Sequence, residues 1–130
     1  MRGSVITSRC EYRGRMMENY FPGVGHRYRV DFGAFRVELH FISETSMTYA
    51  GIGSDGKPAD PTPVTITIRP VREQLFLVTW QEDDSTTVVH LEDYKENTIV
   101  THITAPPDAT HPKPQFLIFK GTMAQVPEQA

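Results

Sequence analysis

The feature that most constrains this chain is a two-residue rhythm. In "FRVELHFIS" (Phe35–Ser43), Phe35, Val37, Leu39 and Phe41 alternate with Arg36, Glu38 and His40. Successive side chains of a β-strand point to opposite faces, so this segment reads as a strand with one apolar and one polar side. The rhythm begins after Gly25 in "HRYRVDF" (His26–Phe32), where Tyr28, Val30 and Phe32 share a phase. It recurs in "SMTYAGI" (Ser46–Ile52), "VTITIRPV" (Val64–Val71), "QLFLVTWQE" (Gln74–Glu82), "TTVVHLEDY" (Thr86–Tyr94), "NTIVTHITA" (Asn97–Ala105) and "QFLIFKGTM" (Gln115–Met123). Turn residues fall between these runs at the short intervals of an all-β barrel or sandwich. Two stretches, "GSDGKPADPTP" and "APPDATHPKP", are too rich in Pro, Gly and Asp to be anything but loops.

Eight sequential strands joined mostly by tight turns predict a single up-and-down antiparallel barrel, which leaves no open sheet edge. A two-sheet sandwich is the alternative. An eight-stranded barrel encloses about enough room for one small ligand. The organisation expected is an N-terminal extension over residues 1–24, the barrel over 25–123 and a polar tail over 124–130. "RMMENYFPGVG" can form a short helix from Arg15 to Tyr20, stopped by Pro22 and Gly23.

Composition narrows the function classes. A formal charge of -3 and a pI near 5.9 oppose nucleic-acid binding, which needs a concentrated positive field. Arg9, Arg13 and Arg15 make only the N-terminus locally basic. Cys10 is the sole cysteine, so no intrachain disulfide or thiolate zinc site can form, and a reducing cytoplasm fits. No apolar run reaches the roughly 20 residues of a membrane span, and no apolar secretory core opens the chain. Neither a glycine-rich phosphate loop nor a dinucleotide fingerprint is present, so no cofactor is expected.

From Gly25 the sequence "GHRYRVDFGAFRVELHFISETSMTYAG" resembles the opening of the MoaF-like and phenolic acid decarboxylase-like barrels of the calycin (lipocalin-like) type. "LFLVTWQEDDSTTVVHLEDYKENTIVTHITAP" resembles their second half, where a W-x-E strand meets a hairpin. The MoaF-like branch is the nearer. The resemblance covers residues 25–123 and implies a small barrel, often dimeric, with a ligand cavity open at one end. In phenolic acid decarboxylases the W-x-E glutamate donates a proton, and Glu82 in "VTWQE" matches it. Their substrate-clamping tyrosine pair falls on Val30 and Phe32 here, and their arginine segment is replaced by the Pro/Gly loop, whose only basic residue is Lys57.

The residues themselves set the candidate site. Phe76, Val78 and Trp80 share a phase whose next member is Glu82. Glu82 is therefore either a carboxylate at the mouth of an apolar cavity, able to act as general acid or base, or the first charge of a solvated turn, "QEDDST". Trp80 reads as core or as a stacking platform, and Phe76 and Val78 as wall. Tyr28, Phe32 and Tyr49 are further candidate ligand contacts, the two phenols being able to hydrogen-bond a guest or a neighbouring carbonyl. His90 faces inward only if Thr86–Val88–His90 is the buried phase. His102 shares a face with Thr98, Val100 and Thr104; inward, it can shuttle protons as a second catalytic group, and outward it is a surface histidine. Histidine spacing is wrong for a β-barrel metal site, so none is expected. The functional expectation is a small-molecule-binding barrel doing lyase or isomerase proton transfer on a small cyclic or aromatic substrate. Its alternatives are a non-catalytic carrier or sensor, or an interaction module whose barrel is filled by its own phenylalanines. Exposed apolar strand residues such as Leu117 or Phe119 lead one to expect a homodimer.

Overall fold

The structure, a computed structural model, describes residues 20–127. The proposed helix at Arg15–Tyr20 lies outside them except for Tyr20. Nine antiparallel strands form the fold: β1 (Arg27–Asp31), β2 (Arg36–Phe41), β3 (Ser46–Gly51), β4 (Thr62–Thr65), β5 (Thr67–Arg72), β6 (Leu75–Gln81), β7 (Thr87–Asp93), β8 (Thr98–Ala105) and β9 (Gln115–Gln125). Hydrogen bonding runs in the order β4-β3-β2-β1-β9-β8-β7-β6-β5. The two ends of that order are consecutive in the chain, separated only by Ile66, so a nearly closed barrel results. Among the described residues no helix is long and apolar enough to cross a membrane.

The run "VTITIRPV" is divided at Ile66 between two strands, and these stand at the two ends of the sheet order. Pro63 and Pro70 lack the N–H that a central ladder needs, and proline is confined to edges and bulges. Pro63 sits opposite Thr48, Pro70 opposite Phe76, and the β5–β6 register slips just after Pro70. The chain bends between them and hands its pairing from β3 to β6. Ile66 secures the joint: its N–H donates to the Thr45 carbonyl at 2.9 Å and its side chain is buried.

Alternation decides what fills the interior. Tyr28, Val30, Leu39, Phe41, Met47, Phe76, Val78, Trp80, Val88, Ile99 and Met123 are buried, each in the inward phase of its strand. One end of the barrel is solid. Phe21, from the segment ahead of β1, packs edge-on against Phe41, Phe76 and Tyr94 at 5.0–5.4 Å between ring centroids, and Tyr28 joins them. Edge-to-face packing suits the ring quadrupoles. Residues 20–24, expected to belong to the extension, therefore include a plug of the barrel.

Strand β9 corrects one expectation. Leu117 and Phe119 are in the inward phase, with Phe119 in ring contact with Phe32 and Phe35. The exposed residues are Phe116 and Ile118, 63% and 56% exposed. β1 pairs only with the far end of β9, from Thr122 to Gln125. β1 and β9 approach closely at Gly121, where an added Cβ would meet the Asp31 carbonyl.

Candidate functional site

The end of the barrel opposite Phe21 is hollow. A cavity of about 220 Å³ lies there, with Phe32, Val37, Leu39, Val88 and Ile103 as apolar wall. An engineered cavity of about 150 Å³ lined by such side chains holds benzene, so this one has room for a single ring with small substituents. Its polar members are few: Tyr49, Glu82, His90, Thr101 and, at the rim, Arg36. A second, more polar groove of about 510 Å³ adjoins it and shares Tyr49 and Glu82.

Glu82 sits on both sides of the question its sequence raised. Its backbone N–H donates to the Thr86 carbonyl and its carbonyl accepts from Ser85, so it forms the base of the β6–β7 turn. Ser85 supplies the left-handed residue of that turn, φ 75°. Asp83 and Asp84 are exposed, and Asp84 is held below the usual carboxylate range by its hydrogen bonds to Thr86. The Glu82 side chain keeps the inward phase instead. Its Oε2 accepts from the indole Nε1 of Trp80 at 3.0 Å, which satisfies the one donor of a buried tryptophan. Tyr49 stacks on Trp80, centroids 6.1 Å apart and planes at 24°. Burial first, and then the Glu82 carboxylate, holds the Tyr49 phenol above its ordinary value. Tyr49, Trp80 and Glu82 therefore form one unit at the mouth.

At the floor of the cavity is a second polar group. His90, buried, meets Trp80 edge-on at 4.8 Å. Its Nδ1 lies 2.9 Å from Oε2 of Glu92, a carboxylate with no exposed surface. The other oxygen of Glu92 accepts from the Tyr94 hydroxyl at 2.6 Å. A buried charge is tolerable only when paired and hydrogen-bonded, and these two donors meet that requirement. Burial, followed by the charge of Glu92, raises the Tyr94 phenol well above its ordinary value, and raises Tyr28 in the same way.

Of the residues singled out from the sequence, Glu82, Trp80, Tyr49 and Phe32 come together around the cavity. Tyr28, Phe76 and Val78 are buried deeper, among the side chains of the barrel core. His102 is on the outer wall: Ile99, Thr101 and Ile103 take the inward phase of β8, and the His102 ring lies beside exposed Phe116 at 5.9 Å. It does not reach the cavity. Thr101 and Glu92 escape a reading by hydrophobic phase, being polar side chains in apolar positions. The available signal for His90 was the "Thr86–Val88–His90" phase, which β7 adopts. Among the described residues, no group of three or more His, Cys, Asp or Glu is arranged to hold a metal ion.

Comparison with known proteins fits this architecture. No curated protein matches the chain. Eleven chains of solved structures do; one, from Burkholderia vietnamiensis and described as a "putative beta-lactamase", is 26% identical, with a TM-score of 0.68 over 81% of this chain and 96% of its own. The match to the MoaF-like family runs over residues 24–124, from the plug segment through β9. A barrel of this topology, matched across nearly all its described length, makes the chain a member of the MoaF-like family.

Proposed function

We propose that this barrel binds a small monocyclic molecule in its hollow end and that Glu82 transfers a proton to or from it, as a lyase or isomerase would. The observation that carries the reading is the position of Glu82: a carboxylate on the wall of an apolar cavity, oriented through Oε2 by Trp80. Proton transfer by a positioned side chain contributes typically about 10²–10⁴-fold in rate. The apolar wall excludes water, and stacked Tyr49 and Trp80 offer a flat surface to a ring. The "putative beta-lactamase" description of the Burkholderia relative is in keeping with a barrel that takes a small molecule, and it names a different reaction.

The test starts from a thermal-shift screen of small aromatic acids, quinones and lactones, because a bound ligand raises the melting temperature by mass action. Hits are then incubated in deuterated buffer and followed by NMR. Conversion or C–H exchange that depends on the protein, and that Glu82→Gln abolishes while binding persists, supports the reading. Turnover that survives Glu82→Gln would remove Glu82 from the chemistry.

A second reading, a non-catalytic carrier or sensor, has its own observation. Val30 and Phe32, at the positions matching the clamping tyrosines of phenolic acid decarboxylases, are both buried apolar side chains. Ligands that bind and are recovered unchanged, without C–H exchange, would favour it.

A further inference from the structure

Beyond the mouth, the floor of the cavity has chemistry of its own. His90 and Thr101 face each other directly across β7 and β8 and both line the cavity. Thr101 is only 1% exposed, and its Oγ1 has no hydrogen-bond partner. A buried hydroxyl without a partner is costly and calls for one from outside the chain, an ordered water or a bound guest. Next to it, the Nδ1 of His90 is committed to Glu92. In the neutral imidazole a carboxylate at Nδ1 selects the tautomer with its proton there, which leaves Nε2 as an acceptor for whatever enters. Trp80 packs edge-on against the ring and Tyr94 holds the far oxygen of Glu92, so the imidazole has little freedom to turn.

Taken together, an acceptor and a hydroxyl stand side by side at the end of an apolar pocket. We infer that His90 and Thr101 form a subsite for a hydroxyl group on a single-ring ligand, a phenol or a ring enol. Such a group donates to His90 Nε2 and accepts from Thr101 Oγ1. A carbonyl accepts only and would leave Nε2 unanswered; an ammonium accepts nothing. Glu92 and Tyr94 are positioning residues that fix the tautomer and tilt of His90. The inference deepens the proposed function and rests on its cavity: the guest is anchored at the floor by its hydroxyl, which directs its opposite edge toward Tyr49 and Glu82.

Phenol and toluene test this, since they match in shape and differ in hydroxyl against methyl. Calorimetric or NMR titration of the full chain should show phenol binding at least tenfold tighter than toluene, although toluene is the more apolar. Thr101→Val, which removes a hydroxyl already without a partner and so folds, should abolish or invert that preference. Toluene binding as tightly as phenol to the native protein overturns the hydroxyl subsite and leaves the cavity reading standing. Binding of neither at millimolar concentration overturns both. A long-range proton–nitrogen NMR spectrum gives a readout that mere structural support would not move. His90 should be the neutral Nδ1–H tautomer, and Glu92→Gln should relax that bias; an Nε2–H tautomer or an imidazolium in the native protein overturns the assignment of Nε2 as acceptor.

Discussion

Replacing Tyr94 by Phe removes a single hydroxyl and leaves its ring in place against Phe21, Tyr28 and Phe76, 5.4–6.0 Å between centroids. The hydroxyl it removes donates at 2.6 Å to Glu92, which has no exposed surface and one other donor, His90. A hydrogen bond to a charged group contributes about 1.5–3 kcal/mol, and a buried acceptor left short of a partner is penalised on that scale. With ring packing preserved, the loss at pH 7 is expected to be about 1.5–3 kcal/mol, or roughly 5–15 °C in melting temperature for a domain of this size. The alkaline limb gives an independent check. The folded Tyr94 phenol is raised well above 10.0, so its stabilisation is complete below that pH. Above it the unfolded chain ionises first, and stability falls until pH passes the folded value, by up to about 1.4 kcal/mol per pH unit for each such group. Tyr28 and Tyr49 act in the same direction, so Tyr94→Phe should make the decline shallower by one group rather than abolish it. Urea unfolding followed by the fluorescence of Trp80, the only tryptophan, measures both. A variant within about 0.5 kcal/mol of the native protein at pH 7, with a parallel alkaline limb, would refute the view that Glu92 is a charge held by two donors.

Three other outcomes follow from the packing. Gly121→Ala drives a Cβ into the Asp31 carbonyl and to 2.9 Å from the Phe32 ring; overpacking of this kind costs about 1–3 kcal/mol, read by chemical denaturation. Ile66→Ala, at the joint of β4 and β5, should cost about 2–5 kcal/mol as a large-to-small core change, and a loss under about 1 kcal/mol would mean the seam is not packed. A homodimer through exposed Phe116 and Ile118 predicts a light-scattering mass of twice 14.7 kDa that halves in Phe116→Asp; the mass of one chain for the native protein rejects it.

Strand positions were legible because alternation and turn chemistry agreed. "FRVELHFIS" carries one apolar phase, and in "QLFLVTWQE" the larger Phe76 and Trp80 mark the inward phase although Leu75 and Leu77 occupy the other; both fold accordingly. β7 and β8 did not announce themselves, since Val88 and Val89, or Ile99 and Val100, place aliphatic residues in both phases. Phase there is settled by pairing with β6 and β9, which is a non-local fact. That is why His102 could be placed on either face by the sequence and lies on the outer one. Glu92 and Thr101 are the harder case: a residue type usually found outside takes an inward position, Glu92 with two partners that compensate it and Thr101 with none inside the protein. Pro63 and Pro70, on either side of the joint at Ile66, were visible, but that the fourth run divides there and changes its pairing partner from β3 to β6 depended on which neighbours the strands had.

The most direct test of a hollow that accepts a ring is a methyl NMR titration of the full chain with phenol. Saturable shifts confined to Val37, Leu39, Val88, Thr101 and Ile103, with Val78 and Ile66 unmoved, are the predicted result. Shifts scattered over outer-wall methyls such as Ile118 and Val71, or none at any concentration, would contradict it.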